Sequence, residues 1–248
     1  MDEVRFNAAV TRALLRDKEG GGIGMLGEKT LHSALKYYYE PNESSHEQKA
    51  LGSIADIKNE EGIIEVQTGS LGALRPKLAR YLATTHVTVV HPVIRKKTII
   101  WIDEKTFKTT RAHSSKRGRL EDAFQQIMYL GPLPSDPGLD IALPILDIEE
   151  RRLIKGVKRG RRIYETLDKI PTALIDEAIL TCPEDYLYFV PEELLFKQEG
   201  FTVAELKKPT KYSDASARAL LYTLMNMGLL KRERHGSAYY YQCVMINA

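Results

Sequence analysis

The chain has 248 residues, of which 43% are hydrophobic and 28% are charged. This balance is typical of a globular protein that buries a core, and it excludes collagen-like, low-complexity and fully disordered chains. The length exceeds that of one compact domain, so we expect one larger domain and a smaller one. No apolar run approaches the roughly eighteen residues of a membrane span, and the N-terminus lacks a secretion signal. We therefore expect a cytoplasmic protein without a membrane partner.

Charge is unevenly distributed along the chain. The 36 basic and 33 acidic residues give a net charge of only +3. Segments 95–119, 151–169 and 205–235 together hold 24 basic and 7 acidic residues, a net charge of +17, and the remaining residues carry −14. Polyanions bind where cations are locally concentrated, because phosphate contacts release counterions. This segregation predicts a nucleic-acid partner.

The first part of the chain has an α/β pattern. Residues 1–24 form a polar, partly helical lead-in that ends in a glycine cluster. Helical and alternating apolar spacings follow in turn, which favours a mixed sheet flanked by helices. The predicted elements are a helix over 27–39, a hairpin of strands 50–57 and 63–67, a helix over 71–83, and strands over 86–93, 98–102 and 139–146.

The character of the sequence changes after the basic segment 151–169. Residues 171–181 have the spacing of a helix, and residues 201–246 form a compact unit. The unit consists of a short helix from Thr202 to Lys207, a turn through Pro209, a longer helix from Ser213 to Met227, and a hairpin after Gly228. We therefore divide the chain into a lead-in over 1–24, an α/β domain over 25–170, and a helical linker with a small domain over 171–248.

Asp56, Glu65 and Gln67 form the most informative pattern. Residues two apart on a strand point to one side, so Glu65 and Gln67 share a face, and the hairpin folds Asp56 back toward Glu65. Two carboxylates that converge among apolar neighbours suit a hard divalent cation such as Mg²⁺, which takes oxygen ligands. The alternative is that both carboxylates are solvated charges on the polar face of an ordinary hairpin.

The motif Asp56-x8-Glu65-x-Gln67 follows a helix with Glu28 and precedes the helix over 71–83. In this arrangement the chain resembles the restriction-endonuclease-like PD-(D/E)xK nuclease superfamily. The resemblance implies that Asp56 and Glu65 bind Mg²⁺ or Mn²⁺ and that Glu28 reaches the metal shell through water. It also implies that Gln67 stands where most members of the superfamily have the catalytic Lys.

The resemblance covers roughly residues 25–150 and includes two departures. Ala55 replaces the proline of the motif, which the superfamily tolerates. Gln67 carries no charge with which to stabilise a phosphorane, and an E-x-Q triplet occurs both in active restriction enzymes and where activity has decayed. Glu28 has an alternative explanation, since the helix dipole favours an acid in a first turn. His32 could face the same cleft, although the helix surface is the commoner place for a histidine.

The C-terminal unit resembles a winged helix-turn-helix domain. In such domains the second helix enters the major groove and the wing contacts phosphates. The resemblance implies groove contacts from one set of residues, Lys211, Ser213, Ser216 and Arg218, and wing contacts from another, Arg232, Arg234, His235 and Tyr239. Winged helices also dock proteins, and the basic residues are otherwise a solvated face.

Two glycine-punctuated basic segments, 114–119 and 155–162, are predicted as loops. The first contains Lys116, Arg117 and Arg119. Both segments could wrap a duplex backbone beside the hairpin, or be loops without a ligand.

The sequence thus predicts an α/β fold, with a restriction-endonuclease-like mixed sheet flanked by helices and a small C-terminal winged-helix domain. The expected function is Mg²⁺- or Mn²⁺-dependent endonucleolytic hydrolysis of DNA, with Glu28, Asp56, Glu65 and Gln67 as catalytic residues. We expect double-stranded DNA as the partner, and cutting of both strands would favour a homodimer. The alternative is a catalytically inactive DNA-binding regulator or adaptor with a degenerate nuclease-like domain.

Overall fold

The computed structural model describes residues 2–19 and 29–244. The α-helices are α1 (Glu3–Glu19), α2 (Thr30–Tyr39), α3 (Arg75–Tyr81), α4 (Phe124–Ile127), α5 (Pro183–Leu187), α6 (Glu192–Leu195), α7 (Val203–Thr210) and α8 (Asp214–Asn226). The strands are β1 (His46–Ala50), β2 (Ser53–Asn59), β3 (Gly62–Val66), β4 (Val87–Val90), β5 (Val93–Asp103), β6 (Thr109–His113), β7 (Leu139–Lys158), β8 (Arg161–Leu180), β9 (Leu230–His235) and β10 (Ala238–Cys243). Within these residues, no helix has both the length and the apolar character needed to cross a membrane.

Strands β1 to β8 form one mixed sheet in the order β1-β2-β3-β4-β7-β5-β6, and β8 pairs with β7. Strands β1, β2 and β3 are antiparallel, whereas β3, β4 and β7 are parallel. Strand β7 pairs first with β4 and farther along with β5, while β8 follows its other edge over nearly its whole length. The predicted α/β class with a large mixed sheet is confirmed.

Helices cover both faces of this sheet. Helices α1 and α2 pack on one face against Val66, Val90 and Ala142. Helices α3, α4 and α8 pack on the other face, in a cluster that includes Ile63 and Val89. Successive residues of a strand point to opposite faces, so these buried strands are apolar on both sides.

The distal part of the sheet is an extension that we call the arm. It consists of residues 93–113 and 143–178, which are β5, β6 and the parts of β7 and β8 beyond Ala142. Strand β7 continues for sixteen residues after Ala142, or about 50 Å at 3.3 Å per residue. At the tip, Arg159 and Gly160 have φ angles of 49° and 73°, as a tight two-residue hairpin turn requires.

Two expectations for this region are wrong. Residues 171–181 are not helical, because almost all of them belong to β8, and residues 155–162 form the end of the β7–β8 hairpin instead of a loop. The β7–β8 register shifts at four points. Each shift displaces the two-residue alternation of apolar side chains, which leaves a spacing similar to that of a helix. The domain boundary expected after residue 170 falls inside β8.

The C-terminal unit contains its predicted helices and hairpin. The side chain of Ser213 caps α8 by accepting the N–H of Ser216. Pro209 lies within α7, and the turn begins at Lys211, which has a φ of 58°. Buried side chains of α8 join the same cluster as α4 and the sheet. The unit is therefore packed onto the α/β domain through a shared core.

Candidate functional site

Asp56 and Glu65 lie where β2 and β3 separate. The antiparallel ladder between the strands ends at the pair Ile57 and Ile64. Each carboxylate is the neighbour of one of these residues, Asp56 of Ile57 and Glu65 of Ile64. Asp56 Oδ2 accepts the N–H of Val66 at 2.8 Å, so a side-chain oxygen replaces the main-chain carbonyl of a regular ladder. The structure thus brings the two carboxylates together at the end of β3.

Glu65 is the more buried of the two, with a side chain only 2% exposed. It is in register with Val89 on the apolar face that α3 covers. Lys77 Nζ donates a hydrogen bond to Glu65 Oε2 at 2.7 Å, whereas Oε1 has no hydrogen-bond partner among the described residues. Burial raises the pKa of Glu65, the hydrogen bond from Lys77 offsets only part of this effect, and the Asp56 charge adds to the rise.

The pKa of Asp56 is shifted in the opposite direction from that of Glu65. Burial acts to raise the pKa of Asp56, but the contact with His32, the N–H of Val66 and the charge of Lys77 outweigh it and hold this pKa below its ordinary value. His32 Nε2 lies 3.4 Å from Asp56 Oδ2. One carboxylate therefore favours the ionised form and its neighbour favours the proton, a separation that is frequent at functional sites.

We call His32, Asp56, Glu65 and Lys77 the carboxylate cluster. Its four side chains come from α2, β2, β3 and α3. The surface position considered for His32 is wrong, because its ring contacts Asp56. Sequence reasoning missed Lys77, although its position next to Leu78 in the predicted helix over 71–83 was a usable signal.

Gln67 is held by its own loop. Its Oε1 accepts the N–H of Gly69 at 3.1 Å, and its main-chain N–H donates to Val90. His91 Nδ1 donates to the Gln67 carbonyl oxygen at 2.7 Å, which assigns the proton of a neutral ring to Nδ1. Burial lowers the pKa of His91 and so favours that neutral ring. His91 thus anchors the loop that carries Gln67.

His91 also lines a cleft of about 290 Å³. Lys97 from β5, Lys116 from the loop after β6 and Asp122 contribute to its walls. The predicted nucleic-acid residue Lys116 therefore lines the same cleft as His91, whose ring donates to the loop of Gln67. Lys97 pairs with the buried Glu150, whereas Lys116 is exposed and can offer its charge to an anionic group in this cleft.

A cation fits the chemistry of Asp56 and Glu65. Among residues 2–19 and 29–244, no group of three or more His, Cys, Asp and Glu side chains with metal-binding geometry is found. Mg²⁺ often binds through only one or two carboxylates and completes its shell with water and phosphate oxygens. The unbonded Glu65 Oε1 is an available ligand atom. The predicted third acid, Glu28, lies outside the described residues.

The cations of the loop after β6 differ in their surroundings. Lys116 and Arg117 are exposed, and Arg117 donates to the carbonyl of Ser114. Arg119 forms an ion pair with Glu121 at 2.7 Å and donates to the carbonyls of Lys211 and Thr210 at 3.3 and 3.4 Å. Arg119 therefore links the α/β domain to the turn between α7 and α8.

The four predicted groove-facing residues lie in α8 or just before it, and they differ in burial. Lys211, Ser213 and Arg218 are exposed. The expectation for Ser216 is wrong, because Ser216 is fully buried and its Oγ donates to Asp122 Oδ1 at 2.6 Å. Ser216 lies on the face of α8 that packs against α4, and a buried hydroxyl needs such a partner.

The predicted wing residues lie on the β9–β10 hairpin. Arg232, Arg234 and Tyr239 are exposed. The two guanidinium groups lie 4.5 and 6.0 Å from the centroid of the Tyr239 ring. Tyr241, two residues farther along β10, is buried in the core, as strand alternation requires. The hairpin thus presents two cations and an aromatic ring to solvent.

The chain is 34% identical over 144 residues to a Treponema pallidum (strain Nichols) protein described as "Uncharacterized protein". The similarity covers 58% of this chain and 57% of that protein, so the chain spans just over half the length of this relative. No solved structure matches the chain. A family model described as "Domain of unknown function (DUF8091)" matches residues 29–181, a range that contains the carboxylate cluster and the arm and ends after β8. Because this match covers more than half of its length, the chain belongs to that family.

Proposed function

We propose that the protein is a metal-dependent nuclease that hydrolyses DNA phosphodiester bonds, with a restriction-endonuclease-like domain and a C-terminal winged-helix domain. One observation carries the proposal. Asp56 and Glu65 converge at a strand end, and the buried Glu65 keeps one oxygen without a hydrogen bond from the described residues. A buried carboxylate oxygen without a partner costs free energy, and a bound cation would remove that cost.

Asp56 and Glu65 would hold the ion. When bound, Mg²⁺ or Mn²⁺ would neutralise charge on the phosphate oxygens and lower the pKa of a water molecule. The low pKa of Asp56 keeps this carboxylate ionised at neutral pH, which suits a metal ligand. The pKa of Glu65 is raised in the metal-free protein, and a bound cation would favour its ionised form. His32 positions Asp56 from α2.

Lys77 supplies the positive charge that Gln67 lacks. Its Nζ lies 2.7 Å from Glu65 Oε2 and its side chain is 21% exposed, so an ammonium group adjoins the metal ligands and also meets solvent. A fixed cation at this position would stabilise the charge that develops on a phosphorane. Gln67 would orient the attacking water, and His91 would keep the Gln67 loop in place.

Several surfaces support DNA as the substrate. The cleft beside His91 carries the exposed Lys116, and the β9–β10 hairpin presents Arg232 and Arg234. The succession of α7, α8 and a two-stranded hairpin supports the winged-helix part of the proposal. Wing residues and Lys211 would contact phosphates. The homodimer and the cytoplasmic location stay predictions.

Cleavage assays test the proposal. The purified chain should convert supercoiled DNA to nicked or linear forms with Mg²⁺ or Mn²⁺, and EDTA should stop the reaction. Asp56→Asn and Glu65→Gln should each lower the rate by at least about a hundredfold, because each removes charge from the metal site. Glu61→Gln is the matched control, since Glu61 is exposed in the turn of the same hairpin, and this variant should cut like the parent.

Two results would overturn the nuclease proposal. One is a parent protein that cuts neither DNA nor RNA with either metal, and the other is an Asp56→Asn variant that cuts as fast as the parent. Tight duplex binding without cleavage would instead support the DNA-binding adaptor. A preference for RNA would keep the chemistry and change the substrate.

A further inference from the structure

The tip of the arm carries cations that no described residue neutralises. Lys158, Arg159 and Arg161 are exposed, and none of them forms an ion pair or a side-chain hydrogen bond with another described residue. On the shaft of the arm, three basic residues instead pair with acids. These shaft pairs are Arg151 with Glu149, Arg152 with Glu150, and Lys155 with Glu104. Three cations that are available to a ligand therefore lie together at the tip, where they line one shallow depression.

A cluster of rings and guanidinium groups braces the arm below the tip. The rings of Trp101 and Tyr164 meet edge to face with centroids 5.2 Å apart. Arg152 lies 4.3 Å from the centroid of the Tyr164 ring, and Arg162 lies 4.7 Å from that of Trp101. These contacts join β5, β7 and β8. A braced hairpin loses little conformational entropy on binding, so the tip is prepared for a ligand.

The arm extends from the same end of the sheet as the carboxylate cluster. Strands β3, β4 and β7 are parallel, and Val66, Val90 and Ala142 are level with one another. Strand β3 ends there, beside Glu65, while β7 continues for sixteen residues, or about 50 Å. At 3.4 Å per base pair, that distance corresponds to about fifteen base pairs of duplex.

We infer that the arm is a clamp for duplex DNA, and that Lys158, Arg159 and Arg161 contact phosphates about fifteen base pairs from the carboxylate cluster on the same duplex. The inference rests on the proposed nuclease function and names the surface that retains the substrate. A two-stranded ribbon fits the major groove. The exposed side chains of Val157 and Ile163, 67% and 48% accessible, would give the ribbon apolar contacts there.

The salt dependence of binding tests the clamp. Each phosphate contact adds about 0.9 to the slope of log affinity against log salt concentration. In a Glu65→Gln background with EDTA, the triple variant Lys158→Gln/Arg159→Gln/Arg161→Gln should lower this slope by about 2 to 3, measured by fluorescence anisotropy with a duplex of about thirty base pairs. The three side chains have no polar partner among the described residues, so the fold should survive.

A control variant with the same loss of charge distinguishes direct phosphate contact by the tip from the general electrostatic attraction between the protein and DNA. Lys49→Gln/Lys58→Gln/Arg80→Gln removes three exposed cations from β1, β2 and α3, and it should lower the slope by less than about 1. Equal slopes for the two triple variants would overturn the clamp. Tighter binding to phosphatidylserine vesicles than to duplex, lost in the tip variant, would assign the tip to a lipid surface. The binding assay needs no cleavage. If the parent protein cuts no nucleic acid but the tip variant still has a lower salt slope than the control variant, only the nuclease proposal is overturned.

Discussion

The carboxylate cluster and helix α8 both contain charged residues that the sequence marks as functional, yet the structure uses these residues differently. In the cluster, Glu65 is buried and keeps an oxygen without a hydrogen bond from the described residues. On α8, Asp214 accepts Lys207 at 3.1 Å and Arg218 at 2.6 Å. Charges that satisfy one another at a surface are available to a ligand only after their pairs break. A buried carboxylate oxygen that lacks a hydrogen bond, as Glu65 Oε1 does among the described residues, gains free energy when a ligand arrives.

The largest loss of stability is expected when Lys77 is replaced, which tests how far the cluster depends on the ion pair between Lys77 and Glu65. Lys77→Met removes the partner of a buried carboxylate and leaves the charge of Glu65 uncompensated. We expect the free energy of unfolding to fall by about 2 to 4 kcal/mol at neutral pH without metal, measured by urea denaturation. The matched control is Arg80→Met, which changes an exposed cation on the same helix and should leave stability nearly unchanged.

A double variant shows whether the loss comes from charge. Lys77→Met/Glu65→Leu replaces both partners by apolar side chains, and it should recover most of the lost stability, because no buried charge remains. A double variant that is no more stable than Lys77→Met alone would contradict this account. Neither variant should cut DNA if Lys77 and Glu65 serve the proposed reaction.

Ser216 is the next test, because it distinguishes a structural residue from a DNA contact on α8. Ser216→Ala removes the hydrogen bond to Asp122 and one from Gln125. We expect a loss of about 1 to 3 kcal/mol in the free energy of unfolding and unchanged duplex affinity. If Ser216→Ala instead bound duplex DNA more weakly and kept its full stability, Ser216 would face the groove as the sequence predicts.

His91 should make the stability of the protein depend on pH. Burial lowers its pKa below the ordinary 6.5, so the unfolded chain binds more protons than the folded one as pH falls. His91 therefore adds stability above about pH 6.5 that is lost as the pH falls through its folded pKa. His91→Asn lacks this titration, so the stability of the parent should decline more steeply between about pH 7 and pH 5. Parallel pH profiles in urea denaturation would contradict the buried neutral ring.

The smallest effect is expected at Arg218. Arg218 and Asp214 form an exposed pair one helical turn apart, and such pairs contribute little to stability. Arg218→Ala should change the free energy of unfolding by less than about 0.5 kcal/mol. Its effect on duplex affinity, read from a salt titration, decides whether α8 contacts DNA at all. A loss of affinity as large as that of the arm-tip variant would shift the main binding surface from the arm to α8.

Much of the fold could be predicted because the relevant signals are local. Ser213 caps α8 and Gly62 follows the turn of the β2–β3 hairpin, so spacing and turn residues identified these elements. The β7–β8 hairpin could not be identified in this way. Its bulges disrupt the two-residue alternation, and its strands are specified by their pairing with each other.

The sequence by itself determined the class of fold, the hairpin that carries Asp56 and Glu65, and the concentration of cations in three segments. Only the tertiary structure decided which of those charges are satisfied. It joined Lys77 to Glu65 and His32 to Asp56 and buried Ser216. It left the three cations at the tip of the arm without ion-pair partners among the described residues. The physical reason is distance. Turns and caps depend on neighbours in the chain, whereas desolvation and Coulomb energy depend on residues that only folding brings together.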